Sequence, residues 1–181
     1  MISSRTMNPV EQLRRLIRDV PDFPKPGIMF RDITPLLRNP PGLALSVELM
    51  ANQFRGQGFE LVVGAESRGF IFGIAVAQAL SCGFVPVRKP GKLPHRTASA
   101  TYSLEYGMDT LEMQEDAIPT GSKVLVVDDL LATGGTMKAC CELVERLGGR
   151  VEGCTVLIEL QALGGRARLA PRQVQSVIQY A

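Results

Sequence analysis

No apolar run in these 181 residues approaches the roughly 20 consecutive positions that a membrane-spanning helix requires. The opening stretch, Met1 to Leu16, has no apolar core of the kind found in secretory signals. Charge of one sign is also scarce. Twenty Lys and Arg face eighteen Asp and Glu, a net charge of +2, so no global basic field exists to hold nucleic acid and any basic site is local. The four cysteines, Cys82, Cys140, Cys141 and Cys154, show no metal-ligand spacing and lie in apolar or helical contexts. They read as reduced thiols of a cytoplasmic protein rather than disulfides or zinc ligands. His95 is the only histidine, and nothing pairs with it. Internal repeats and low-complexity tracts are missing as well.

What is present suits one compact domain over residues 1–181 with a full apolar core. Leu13, Leu16, Ile17 and Val20 form a helical stripe, predicting a helix from Val10 to Val20. PDFPKPG, from Pro21, reads as an extended loop. Pro40 and Pro41 open a second helix with Asn39 as its N-cap, running towards Gly56 and Gly58. An alternation follows: strands at Glu60–Gly64, Phe84–Arg88, Lys123–Asp128, Val151–Glu159 and Val174–Ile178, and helices at Phe70–Leu80, Thr136–Leu147 and Ala162–Leu169. Continuous apolar strands alternating with helices predict an α/β protein whose open, mostly parallel sheet is flanked by helices on both faces. The stretch from Pro90 to Thr120 interrupts the pattern with two short alternating segments, Thr101–Leu104 and Leu111–Gln114. It reads as a small antiparallel excursion or mobile flap, and an insertion of this length is usually functional.

The most informative segment is VLVVDDLLATGGT, from Val124 to Thr136. A buried strand ends in Asp128 and Asp129, the loop Ala132-Thr133-Gly134-Gly135-Thr136 follows, and a helix begins. Glycines admit a close anion, the helix start offers unpaired N–H groups, and two threonines add hydroxyls: a site for a phosphate monoester. It is neither a P-loop nor a G-x-G-x-x-G dinucleotide fingerprint. Two carboxylates at the carboxyl end of such a strand suit sugar hydroxyls, and they attract a Mg²⁺ held by the substrate. Gly64-Ala65-Glu66-Ser67-Arg68-Gly69 repeats the arrangement of strand end, small residues and helix start. Arg68 supplies a fork of donors suited to a polyphosphate.

VLVVDDLLATGGT resembles the phosphoribosyl pyrophosphate signature of the type I phosphoribosyltransferases, and the resemblance extends from about Pro21 to Tyr180. It implies that family's fold, with a small flap or hood at residues 90–120. Asp128 and Asp129 would touch the ribose hydroxyls, and Ala132, Thr133, Gly134, Gly135 and Thr136 would hold the 5-phosphate. Glu66, Ser67 and Arg68 match the family's pyrophosphate loop, which implies a cis Glu66–Ser67 peptide. Arg88, Lys89 and Lys92, in VRKPGK, match residues placed near pyrophosphate partly in a neighbouring subunit, implying a homodimer. Mg²⁺ is the implied cofactor, held mainly by substrate with no direct protein site.

Three segments resemble the adenine-specific branch of the family rather than those acting on hypoxanthine, guanine, orotate or uracil. PDFPKPGIMFRDITPLL (Pro21–Leu37) matches its N-terminal signature, placing Met29, Phe30 and Arg31 at the base; a phenylalanine ring can stack on a purine. ATYSLEYG (Ala100–Gly107) matches its catalytic loop, with Glu105 as the acidic residue and Tyr106 as the flanking aromatic. VLIELQALGGR (Val156–Arg166) contributes Leu160 near the purine. The activity implied is transfer of phosphoribose from phosphoribosyl pyrophosphate to adenine, giving AMP and pyrophosphate, with Glu105 and Arg68 as catalytic groups. Two alternatives stand beside it. One is a non-catalytic sensor of phosphoribosyl pyrophosphate, for whose DNA-binding domain the chain has no room. The other is the same chemistry on guanine or xanthine.

Overall fold

The computed structural model describes residues 7–104 and 107–181, which fall into two compact units, residues 1–49 and 50–181. In the first, α1 (Pro9–Arg14) starts at Asn8, whose side chain accepts a hydrogen bond from Val10 N at 2.9 Å. The helical stripe predicts a helix running to Val20, but the chain turns after Arg14. Arg18–Val20 instead forms β1, antiparallel to β2 (Phe30–Asp32). The register explains the switch. Arg18 lies opposite Asp32 and Asp19 opposite Arg31, and both pairs are ion-paired across the ribbon. Those partners are twelve or more residues away, beyond the reach of local periodicity. Asp32 also accepts from Thr34 N at 2.8 Å at the start of α2 (Thr34–Leu37), and the hydrogen bonding from Thr34 lowers its pKa. α3 (Pro40–Ala51) has the expected cap, Asn39 Oδ1 accepting from Gly42 N at 2.9 Å.

In the second unit the elements run β3 (Leu61–Ala65), α4 (Arg68–Leu80), β4 (Gly83–Val87), β5 (Thr97–Leu104), β6 (Gly107–Gln114), β7 (Lys123–Leu131), α5 (Gly135–Arg146), β8 (Arg150–Leu160), α6 (Gly165–Leu169) and β9 (Val174–Tyr180). Five strands form one parallel sheet in the order β4-β3-β7-β8-β9. From β3 the chain crosses to β4 on one side; from β7 it crosses to β8 on the other. The order in which strands are added to the sheet therefore reverses between β3 and β7, which places a topological switch point there.

On one face of this sheet Val63, Ala65, Val85, Val87, Val124 and Val126 pack with Met137, Cys140, Cys141 and Val144 of α5. The strand residues between them, Val62, Leu125 and Leu157, are equally buried and point the other way, the side on which α4 brings Phe72 and Val76. β5 and β6 form the antiparallel excursion expected of residues 90–120. They pair in register from Thr97 opposite Gln114 to Leu104 opposite Gly107. Ala100, Leu111 and Met113 anchor this hairpin in the α5-side core, and Arg88 and Glu112 exchange backbone hydrogen bonds of 2.9 and 2.7 Å. No helix among the described residues is long and apolar enough to cross a membrane.

The helix predicted over Ala162–Leu169 is divided. A 3₁₀ turn (Gln161–Leu163) stops at Gly164, whose φ of +66° is left-handed, and α6 starts beyond it. α6 is fastened by Arg166. Its guanidinium donates to Glu159 Oε1 at 2.9 Å and Oε2 at 2.5 Å, and to the Val174 carbonyl at 2.6 Å, clamping β8 to β9. Ser176 Oγ adds a bond of 2.5 Å to the same carboxylate. The Arg166 hydrogen bonds hold Glu159, only 4% exposed in its side chain, below its ordinary pKa. A carboxylate with a lowered native pKa contributes stability above its unfolded value, about 4.3, and loses it as pH falls through the native one. Glu159→Gln is therefore expected to lower the melting temperature clearly at pH 7, with the gap to the parent closing below about pH 4. Melting curves of both proteins from pH 3 to 8 check this.

Candidate active site

A cleft of about 220 Å³ opens at the switch point, lined by residues 66–68 and 128–137. Both stretches leave the carboxyl ends of adjacent parallel strands and enter helices. α4 begins at Arg68 after Ser67, and α5 begins at Gly135 after Gly134. Neither start has a side-chain cap, and neither first turn carries an acidic residue. Unpaired N–H groups and the positive ends of two helix dipoles thus face one cavity, an arrangement suited to a ligand with two separated anionic groups. The Glu66–Ser67 peptide is cis.

β7 runs three residues past Asp128, so its two acids project alternately rather than together. Asp129 is 4% exposed and pairs with Arg68, Nε to Oδ2 at 3.1 Å. Asp128 is partly exposed and accepts from Asp129 N at 2.9 Å. A side chain at Gly69 would bring its Cβ within 2.9 Å of Asp128 Oδ1, so glycine at that place leaves room for the carboxylate. Burial and the facing Asp129 charge push Asp128 well above the usual carboxylate range. Burial raises Asp129 too, with the Arg68 guanidinium opposing it. Two such carboxylates at the floor of a cleft are costly to maintain, which marks them as functional candidates.

The loop between them and α5 is held from behind. Gly134 has φ +82°, and a Cβ there would meet the Gly165 carbonyl at 2.7 Å; a Cβ on Gly165 would collide with the Ala132 carbonyl. The backbones of the loop and of α6 are in direct contact, and only glycines permit it. Reading local motifs overlooked this brace. The Gly164-Gly165 pair in VLIELQALGGR was its available signal.

Of the residues proposed from sequence, Glu66, Ser67, Arg68, Asp128, Asp129, Ala132, Thr133, Gly134, Gly135 and Thr136 come together in the cleft. Arg88 and Lys89 stay outside its lining. Arg88 Nε bonds Glu66 Oε2 at 2.8 Å, and Lys89 pairs with Asp109. The Lys92 carbonyl accepts from Arg88 Nη1 at 3.3 Å. Leu160 ends β8 opposite Tyr180. Met29, Phe30 and Arg31 belong to the first unit. There Met29 is exposed, Phe30 meets Phe23 edge-to-face at 5.1 Å, and Arg31 pairs with Asp19. Glu105 and Tyr106 lie outside the described residues.

A phosphoribosyl transferase domain model matches residues 32–178. An adenine phosphoribosyltransferase of Rhodopirellula baltica is 56% identical over 168 residues, covering 93% of this chain and 82% of its own. The chain belongs to the adenine phosphoribosyltransferase family. The crystal structure of the Thermoanaerobacter pseudethanolicus adenine phosphoribosyltransferase superposes with a TM-score of 0.92 at 48% identity, covering 94% of this chain and 99% of that one. The Saccharomyces cerevisiae enzyme, solved with an imino-altritol bisphosphate and adenine, superposes at 0.88 and 41% identity over 93% and 98% of the two chains. The fold is therefore the type I phosphoribosyltransferase fold of these adenine phosphoribosyltransferases.

The raised pKa of Asp128 carries a consequence for stability. Above the unfolded value, about 3.9, an ionised Asp128 costs the native state free energy, and this cost vanishes at lower pH, where both states are protonated. Asp128→Asn removes the charge and keeps the shape. It is expected to raise the melting temperature at pH 7–8 by roughly 2–4 °C, for about 1 kcal/mol gained. Little difference is expected near pH 3, and calorimetric scans at the two pH values measure it.

Proposed function

We propose that this protein transfers the 5-phosphoribosyl group from phosphoribosyl pyrophosphate to adenine, giving AMP and pyrophosphate. The observation that carries the reading is the pair of uncapped helix starts on one cleft with two carboxylates at its floor. A sugar phosphorylated at both ends needs two anion cradles and hydroxyl acceptors between them. Identity above 50% to proteins named for this reaction supports the same conclusion.

In this reading residues 132–136 hold the 5-phosphate, and Glu66, Ser67 and Arg68 hold pyrophosphate. Asp128 and Asp129 accept from the ribose hydroxyls, and their negative charge favours the oxocarbenium-like ring that forms as pyrophosphate leaves. Recognition of adenine is assigned to Met29, Phe30, Arg31, Tyr106 and Leu160. Glu105, on the flap, exchanges a proton with the purine, and closure of the flap keeps water from the activated sugar.

The donor set also fits Mg²⁺ bound chiefly through the substrate. No group of three or more acidic, histidine or cysteine side chains is arranged to hold a metal among the described residues. Asp128 and Asp129 offer the one or two carboxylates that such an ion commonly takes beside substrate oxygens. When bound, Mg²⁺ neutralises charge building on the departing pyrophosphate.

Two further features are proposed with the activity. A homodimer would bring Arg88, Lys89 and Lys92 to a neighbouring site, and the exposed Ile71 and Ile74 on α4 suit an interface between copies. A cytoplasmic setting accords with four free cysteines.

The purified protein with phosphoribosyl pyrophosphate, Mg²⁺ and each of adenine, guanine, hypoxanthine and xanthine is expected to form nucleotide only from adenine. Nucleotide from another base would overturn the base assignment, and no product from any base would remove the activity. Glu105→Ala is expected to reduce kcat by roughly 10²-fold or more while leaving phosphoribosyl pyrophosphate affinity near the parent value. Unchanged turnover would take Glu105 out of the mechanism.

A further inference from the structure

One chain of side chains joins the β5–β6 hairpin to the phosphate loop, and its hairpin members, Tyr102 and Asp109, have no part in the roles above. Tyr102 on β5 lies directly opposite Asp109 on β6 and donates its hydroxyl to Asp109 Oδ2 at 3.0 Å. The same hydroxyl sits 3.2 Å from Oγ1 of Thr136, in the first turn of α5. Asp109 is held further by Lys89 and by Thr110 N at 2.9 Å. Tyr102 does not line the cleft at the switch point. It lines the neighbouring groove, with Lys138 and Glu142, and reaches Thr136 from outside. It therefore touches the loop from outside that cleft.

Counting protons settles the direction of these bonds. Asp109, between an ammonium and a phenol, is a carboxylate; burial opposes its ionisation, but the Lys89 and Tyr102 hydrogen bonds prevail and its pKa is lowered. It can only accept, so Tyr102 gives it the one phenolic proton. Burial, foremost, keeps that phenol protonated, with a pKa pushed up to about 12. The Tyr102 oxygen is left as an acceptor, and Thr136 supplies the proton to it. A phosphate monoester near neutral pH also offers mainly acceptors. Thr136 has a single proton, which cannot serve Tyr102 and a phosphate oxygen together.

We infer that Tyr102 is a positioning residue that ties the β5–β6 hairpin to the phosphate loop in the free protein, and that a phosphate group bound at Thr136 releases the tie. The charge-assisted bond from Tyr102 to Asp109 is the stronger and survives. The bond from Thr136 to Tyr102 is the one given up. Occupation of the loop thus loosens the hairpin. The inference rests on residues 132–136 being the phosphate cradle.

The test is calorimetric titration of the full-length protein with ribose 5-phosphate. Tyr102→Phe keeps the ring and removes the competing acceptor. An intramolecular hydrogen bond outweighs its water-exchanged alternative modestly, so ribose 5-phosphate is expected to bind about 2–10-fold more tightly than to the parent. In a Thr136→Ala background, where no proton is contested, the same change is expected to have no effect. A merely structural role for Tyr102 would act in the opposite direction, weakening binding as the hairpin loses support. Equal or weaker binding by Tyr102→Phe, with the parent binding normally, overturns the tie alone. Failure of the parent to bind ribose 5-phosphate overturns the cradle and the tie with it. Should Tyr102→Phe not fold, hydrogen exchange in the parent decides. Amides of residues 97–102 and 109–113 are expected to exchange faster with ribose 5-phosphate bound, and unchanged or slower exchange overturns the inference.

Discussion

The parallel pairing of β3 with β7 is the constraint on which the rest of the second unit depends. Because the chain leaves these neighbouring strands towards opposite sides of the sheet, nothing crosses above their carboxyl ends and a crevice remains. The helix that follows each strand must start at that crevice, so two sets of unpaired N–H groups point into it. A loop of small residues on either side is then enough to admit a doubly phosphorylated ligand. Asp128 and Asp129 lie at the floor because they are late residues of β7, not because of any partner in sequence.

Holding such a site together has a structural cost, visible in the elements that surround it. Two carboxylates are kept partly or wholly out of water, with pKa values raised by their surroundings, and the compensation is partial: Arg68 pairs with Asp129, and the Asp129 N–H donates to Asp128. The loop is supported by backbone contact with α6, which in turn is fastened to β8 and β9 by Arg166 and Glu159. Support on the remaining side comes from the hairpin through Tyr102 and Thr136. The contacts are of different strengths. The α6 brace is a close backbone contact, whereas the Tyr102 contact depends on one shared proton.

The sequence pattern was most informative where structure is local. Strand-loop-helix units announced themselves through apolar runs followed by small residues, so β3, β7 and the loops after them were foreseen to within a residue or three. Asn39 was foreseen as a cap because a capping bond spans only three residues. The same reasoning failed between Arg14 and Val20, where a helical stripe gave way to a strand. There the deciding interactions are the pairs Arg18–Asp32 and Asp19–Arg31, brought together only by the ribbon itself.

By itself, then, the sequence determined the α/β class, the two anion loops, the family resemblance and the residue types available for chemistry, since each rests on neighbours along the chain. Tertiary structure alone decided that the two loops share one cleft, that Asp128 and Asp129 face different surroundings, and that Arg88 and Lys89 rest in ion pairs rather than in the lining. It also decided that Gly165 and Tyr102 touch the phosphate loop. These outcomes depend on strand order, on alternation along β7 and on contacts between residues far apart in the chain. Those contacts form only when burial of the common core sets the elements against one another.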